Sequence, residues 1–229
     1  MRASPGIRRG EAGFLTRQGS RLAGGLLAAA LAAAGCGVGA DTIPETRYFV
    51  IDYTLPPAPV NPGHTLPVSV GVDPFRSDAV YRTEKIVFRK VPYRVDFYPY
   101  ERWGARPDEF VTDRLIDHLL ASSRFREVVR ATGGIQADYL VRGRVKRFEE
   151  VDSPDGRKYS ALAEIEITVA DRRTGAVLLQ KRISRTTPAK VKAPQKFVDA
   201  MAENLKGLLT EATDHIAEAV ARHHKGGQP

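Results

Sequence analysis

Three stretches in the second half of the chain alternate between apolar and polar residues, with the period of two that is typical of β-strands. In the first, residues 137–151, apolar and basic residues take turns: Tyr139, Val141 and Val145 against Arg142, Arg144 and Lys146. The second covers residues 159–171, with Glu164 and Glu166 on its polar side, and the third covers residues 176–185. The turns between them predict antiparallel neighbours, and we expect the basic residues to pair with the two glutamates.

Two other stretches follow the helical period of three to four residues. The first helix is expected from Pro107 to about residue 123, because proline suits the first turn of a helix. The second is expected to begin near Pro194 and to reach residue 220. Five shorter strands are predicted at residues 47–53, 66–72, 84–90, 93–100 and 125–131. Because each helix has one apolar stripe, we expect an α+β fold with two layers, in which both main helices cover one face of a single sheet.

The N-terminal segment differs from the rest of the chain in charge and hydropathy. Five arginines lie within residues 1–21, and residues 22–34 are wholly apolar or glycine. A basic region, a short apolar region and then small residues form the pattern of a secretory signal peptide. The apolar region is shorter than the roughly 20 residues that a membrane-spanning helix needs. We therefore predict a signal peptide over residues 1–35.

Cys36, the only cysteine of the chain, directly follows this segment. It has three conceivable roles: a packing residue, a reactive thiol or a point of lipid attachment. The small residues before it resemble the lipobox of bacterial lipoproteins, in which the signal peptidase cuts between Gly35 and Cys36 and the thiol carries a diacylglycerol. We predict lipid attachment at Cys36. The residue that follows is Gly37 rather than aspartate, which favours the outer membrane.

These features divide the chain into four parts. The signal peptide is followed by a lipidated tether over residues 36–46, which are mostly small and polar. The strands and helices lie in a folded domain over residues 47–222. The last residues, 223–229, are rich in histidine and glycine and are expected to form a flexible tail.

Composition and motifs narrow the class of function. The formal net charge is +8, but five arginines and Glu11 give the first 35 residues +4, which leaves +4 on the rest. This mild basicity fits an anionic membrane surface or an acidic partner and gives no reason to expect nucleic acid. The sequence has no phosphate-binding loop, no nucleophile motif and no paired-cysteine metal motif. We expect no enzymatic activity, no metal and no cofactor.

Residues 93–103 hold the densest cluster of aromatic side chains. One interpretation is a strand that packs on the following helix, with Trp103 in the core. The other is a recognition surface, because tyrosine, tryptophan and arginine are enriched at binding hot spots. Alternate residues of a strand face opposite ways, so both interpretations can hold. The candidate partner-binding residues are Tyr98, Tyr100, Arg102 and Trp103.

The order of these segments resembles the ABC-type transport auxiliary lipoproteins, the PqiC/YmbA-like group, over about residues 45–222. The most specific parts are the tyrosine-rich stretch that ends in Trp103, the "ADYL-x-x-G" strand entry at residues 137–143 and the "D-x-x-T-G" turn at residues 171–175. The resemblance implies a mixed sheet with helices on one side, like the N-terminal domain of TolB. It brings no catalytic motif.

The resemblance also implies a role. It indicates a non-enzymatic, lipid-anchored outer-membrane protein that faces the periplasm and serves as the auxiliary or docking component of an MCE-type ABC transport system. Such systems move phospholipids or other hydrophobic molecules. The implied partners are an MCE-domain protein and the permease/ATPase complex, and a homo-oligomeric ring is one arrangement that the resemblance raises. The alternatives are a periplasmic lipid-binding carrier with its own apolar pocket between sheet and helices, and a cell-envelope hydrolase, which has no support beyond location.

Overall fold

The computed structural model describes residues 44–57, 65–134 and 136–226. Its strands are β1 (Arg47–Phe49), β2 (Leu66–Val72), β3 (Arg76–Ser77), β4 (Lys85–Val91), β5 (Arg94–Trp103), β6 (Phe125–Arg130), β7 (Tyr139–Asp152), β8 (Tyr159–Asp171) and β9 (Val177–Ala189). The α-helices are α1 (Pro107–Ala121) and α2 (Pro194–Gly226), and a short 3-10 turn lies at Ala79–Tyr81. The predicted order of elements is confirmed, and β3 and the 3-10 turn are additions to it.

One mixed sheet is built around the long strand β7. On one side, β7 pairs in antiparallel fashion with β8, which pairs in the same way with β9. On the other side, three strands run parallel to β7 in succession: β2 at its start, β3 at its middle and β4 near its end. Beyond them, β2 continues to β6, and β4 continues to β5 and β1. The sheet therefore forks into two arms on that side of β7.

Both helices pack on the same face of the sheet, so the predicted two-layer α+β fold is confirmed. Trp103 of β5 contacts the rings of Phe110 on α1 and Phe197 on α2. We call the helix-covered side the inner face and the opposite side the outer face. The buried apolar residues of the described chain lie between Ile51 and Val220. The compact unit that begins at Glu45 therefore contains its own hydrophobic core.

A β-bulge in β7 changes which residues reach the core. Before it, the odd-numbered residues Val141 and Val145 are fully buried against the helices. The register shifts between Val145 and Arg147, after which the even-numbered Phe148 lies in the core. An extra residue in one strand reverses the alternation beyond it. Glu150 and Asp152 consequently lie on the inner face.

The predicted ion pairs between the first two long strands are wrong, although the strands themselves pair as expected and Arg144 lies opposite Glu166. The basic residues instead contact aspartates at the two ends of the β3 segment: Arg142 with Asp73, and Arg144 and Lys146 with Asp78. Glu164 and Glu166 instead both lie near Arg182 of the next strand, β9. The reason is β3, which runs along the middle of β7 and supplies carboxylates that the local pattern did not predict.

Helix α2 extends to Gly226, four residues beyond the predicted end of the domain at residue 222. Nδ1 of His223 lies 3.1 Å from the hydroxyl of Tyr139, which ties the end of the helix to the start of β7. No helix in the described ranges is long and apolar enough to cross a membrane. The predicted signal peptide, Gly35, Cys36 and most of the tether lie outside the described residues.

Candidate functional site

Strand β5 sorts the four candidate partner-binding residues onto different sides of the sheet. Trp103 is 1% exposed, and its ring centroid lies 5.4 Å from that of Phe148 and 5.8 Å from that of Phe197. This placement agrees with the packing interpretation of Trp103. A folded domain offers almost none of the Trp103 surface to a partner, so the partner-binding prediction rests on the other three residues.

Tyr98 also faces inward and supports a buried carboxyl group. Its hydroxyl donates a hydrogen bond to Oε1 of Glu150 at 2.9 Å, and its ring lies 5.0 Å from that of Phe88. Burial raises the pKa of Tyr98 well above its usual value, and the nearby charge of Glu150 adds to the effect. The hydroxyl therefore remains a hydrogen-bond donor at physiological pH.

Arg102 faces the other way and lies among aromatic and cationic neighbours. It is directly opposite Tyr48 of β1 on one side and Lys85 of β4 on the other. Phe97 lies on the same outer face, opposite Val87, and the ammonium of Lys85 lies 5.5 Å from its ring centroid. Tyr48 is 64% exposed and Phe97 is 41% exposed. We define these four residues, Tyr48, Lys85, Phe97 and Arg102, as the outer patch.

Tyr100 lies close to the outer patch in sequence but in an irregular part of β5. The register with β4 shifts between the pair Lys85–Arg102 and the pair Val87–Phe97, so extra β5 residues bulge between them. Tyr100 is in this bulge and is partly exposed. The structure thus brings Arg102 together with Tyr48 and Lys85, which the sequence analysis did not select. The missing signal was the parallel pairing of β1 with β5.

A second feature is the carboxylate cluster at the end of β7, where Glu149 points to the outer face. Its side chain is fully buried, and it accepts hydrogen bonds from the hydroxyl of Tyr81 at 2.9 Å, from Nε of Arg89 at 3.2 Å and from Nε of Arg147 at 2.8 Å. Burial raises the pKa of Tyr81 to about 12, and the charge of Glu149 contributes. Two guanidinium groups share this one carboxylate.

Glu150 and Asp152 form the inner half of the cluster. They are 1% and 4% exposed, and Nζ of Lys192 donates a hydrogen bond to Oδ2 of Asp152. Burial, followed by the neighbouring carboxyl group of Asp152, raises the pKa of Glu150 to about 7. The arrangement provides one ammonium for two buried carboxyl groups.

Metal ligation finds no support in the part of the chain that the structure describes. There, no group of three histidine, cysteine, aspartate or glutamate side chains is placed to hold a metal ion. His118 is buried and lies 3.0 Å through Nε2 from the hydroxyl of Tyr53. Burial lowers the pKa of His118 to about 4, so its ring is neutral at physiological pH. This contact fastens the segment after β1 to helix α1.

A comparison with known protein families gives one match. A sequence model of the ABC-type transport auxiliary lipoprotein component family matches residues 53–213, more than half of the chain. No curated protein matches the chain.

Solved structures show the same architecture at low sequence identity. A Xanthomonas campestris protein described by the family model DUF330 is 15% identical, with a TM-score of 0.70 over 78% of this chain and 99% of its own. An uncharacterized protein is 13% identical, with a TM-score of 0.56 over 75% of this chain and 99% of its own. These two likenesses support the fold alone. The crystallised chains consist almost entirely of the equivalent of the domain described above.

Proposed function

We propose a docking role for this chain, which belongs to the family of ABC-type transport auxiliary lipoprotein components. In this role it has no catalytic activity and holds the other components of its transporter at a membrane surface. We propose that its partner is an MCE-domain protein, that the complex includes an ABC permease and ATPase, and that the system moves phospholipids or other hydrophobic molecules. The observation that carries the docking role is the outer patch.

The outer patch has the properties of a recognition surface. Tyr48 and Phe97 offer exposed aromatic rings, and Lys85 and Arg102 lie beside them on the neighbouring strands β4 and β5. Aromatic rings and arginine contribute strongly to protein interfaces. The cations favour an acidic segment of the partner, because complementary charge speeds association and sets orientation. The inward-facing side chains of β5, Tyr98 and Trp103, hold the strand against the core.

The membrane anchor is the second part of the proposal. A diacylglycerol on Cys36 would hold the domain at the outer membrane facing the periplasm, through a tether that ends at residue 46. Two or more acyl chains anchor a protein stably, whereas one chain holds it only reversibly. Metabolic labelling with a palmitate analogue tests this: the wild-type chain should carry the label and the Cys36→Ser variant should not. Equal labelling of both would refute attachment at Cys36.

Co-purification tests the docking role. The full chain is produced together with the MCE-domain protein encoded beside its transporter, and the MCE protein is isolated by a tag. We expect wild-type chain to co-purify and the Arg102→Glu variant to be reduced at least about tenfold, because charge reversal in an interface costs several kcal/mol. The matched control is Arg222→Glu on α2, which removes an exposed arginine elsewhere. Failure of the wild-type chain to co-purify, or equal loss in both variants, would reject the proposed role of the patch.

The alternative of a carrier with a pocket between sheet and helices has less support. That layer is filled by large side chains with almost no exposed surface, including Trp103, Phe148, Phe197, Met201 and Leu205. A cavity beside the helices, near His118 and Thr213, has a volume of about 80 Å³. Ligand pockets for molecules of lipid or drug size are about 300–1,000 Å³. The packed layer therefore favours the docking role.

A further inference from the structure

A groove of about 700 Å³ lies on the outer face, in the fork of the sheet. The 3-10 turn that follows β3 forms one side, and the end of β4 with Pro92 forms the other. The last residues of β7 and the turn after it form the floor. The groove exists because β3 and β4 both pair with β7 but leave a gap between them.

The walls of this groove are mainly apolar. They are formed by Val80 on the 3-10 turn, Val91 and Pro92 at the end of β4, and Val151 and Pro154 at the end of β7. Val80 is 38% exposed although it is a large apolar residue. An apolar channel of this size is sufficient for one acyl chain, whose burial is favourable in proportion to the apolar area removed from water.

The groove also carries surplus positive charge. Arg89 and Arg147 line it and share the single carboxylate of Glu149 beneath them. Lys146 lines it as well and shares Asp78 with Arg144. The carboxylate of Asp152 is already bonded to Lys192.

Lys90 also lines the groove, but its ammonium lies 5.6 Å from the ring centroid of Phe88, which packs against the inward-facing Tyr98, so it is not counted among these cations. The other cations at the groove outnumber the carboxylates that neutralise them. Arginine pairs are suited to bind carboxylate or phosphate groups through charge-assisted hydrogen bonds.

We propose that this groove binds a single-chain amphiphile with an anionic headgroup, with the chain along Val80, Val91 and Val151 and the headgroup at Arg147 and Lys146. The apolar walls favour the acyl chain, and the surplus positive charge favours the anionic headgroup. This site is separate from the outer patch, and the proposal does not depend on the docking role.

The test is calorimetric titration of the domain over residues 45–229, which has its own core, with dodecyl phosphate below its micelle concentration. We expect saturable binding of one molecule per domain. Two further ligands separate the contributions: dodecyl maltoside has the same chain without charge, and inorganic phosphate has the same charge without the chain. We expect both to bind at least about tenfold more weakly than dodecyl phosphate.

Two pairs of variants locate the site. Arg147→Gln leaves Arg89 and Tyr81 bonded to Glu149, so the domain should stay folded while affinity falls about tenfold. Its matched control, Arg182→Gln on β9, removes the same charge from an exposed position outside the groove and should have no effect. Val80→Asn should weaken binding about threefold, whereas Val177→Asn at another exposed valine should not. Circular dichroism checks that every variant is folded.

Some results would overturn the proposal. They are a lack of saturable binding, equal affinity for dodecyl maltoside, equal affinity for inorganic phosphate, or a loss with Arg182→Gln as large as with Arg147→Gln. None of these results would affect co-purification with the MCE-domain protein, so failure here and failure of the docking role are distinguishable.

Discussion

Replacing Glu150 by glutamine is expected to stabilise the domain at pH 8 much more than at pH 5. Glu150 is almost wholly buried on the inner face of the sheet, and burial, followed by the neighbouring carboxyl group of Asp152, raises its pKa from 4.5 to about 7. Glutamine has nearly the same shape, and its carbonyl oxygen can still accept the hydrogen bond from Tyr98. The substitution therefore removes the buried charge without removing the packing.

The size of the effect follows from the two pKa values. The unfolded chain releases the Glu150 proton near pH 4.5, whereas the folded chain keeps it until about pH 7. Between these values the folded state binds more protons, so the free energy of unfolding of the wild type falls as pH rises. Each pKa unit corresponds to about 1.4 kcal/mol, which gives a loss of about 3 kcal/mol that persists above pH 7. The glutamine side chain of the Glu150→Gln variant does not titrate, so the variant does not suffer this loss.

Urea unfolding of residues 45–229 at pH 5 and pH 8 measures the difference, with the fluorescence of Trp103, the only tryptophan, as the signal. The free energy of unfolding of the Glu150→Gln variant relative to wild type should be about 2–3 kcal/mol higher at pH 8 than at pH 5, because a small part of the loss is already present at pH 5. The matched control is Glu203→Gln at an exposed position of α2, which should show no such difference. A relative stability of Glu150→Gln that is the same at both pH values would refute the reasoning.

Three further changes test other parts of the fold. Gly143→Ala would drive a methyl carbon into the ring of Phe75, so it should cost about 1–3 kcal/mol and lower the melting temperature; an unchanged melting temperature would show that the ring moves freely. Trp103→Ala should cost about 3–5 kcal/mol in urea unfolding, followed by circular dichroism, and a cost below about 1 kcal/mol would contradict its place in the core. Asp138 accepts the backbone N–H of Ser69 at 2.7 Å, and this bond lowers the pKa of the carboxyl. Asp138→Asn should therefore destabilise the domain at pH 7, and its difference from wild type should shrink as acid protonates the wild-type carboxyl; a constant difference down to pH 2 would argue against this role.

The elements that were predicted correctly are those with a strong local signal. Strands β7, β8 and β9 alternate over many residues, and α1 and α2 begin at prolines and have continuous apolar stripes. The bulge in β7 could not be predicted, because one extra residue leaves the composition of the strand unchanged while it reverses the faces beyond it. The acidic run from Glu149 to Asp152 is typical of a solvated strand end, yet its carboxylates are buried.

The candidate site was predicted only in part for a related reason. Arg102 was selected because it lies in an aromatic cluster. Its neighbours Tyr48 and Lys85 lie on other strands, and the pairing of β1 with β5 joins residues that are far apart in the sequence. Side chains that meet across separate strands leave no fixed spacing in the sequence. Trp103 was left open between core and surface, and the strand alternation assigns it to the core.

Site-specific photocrosslinking in cells examines the docking surface in place. A benzoylphenylalanine is introduced at Phe97 in the outer patch or, in a second strain, at Glu203 on the exposed side of α2, and full-length chains are irradiated beside their transporter. We predict a covalent adduct with the MCE-domain protein from position 97 and none from position 203. An adduct from position 203 but not from position 97, or from neither position, would contradict docking through the outer patch.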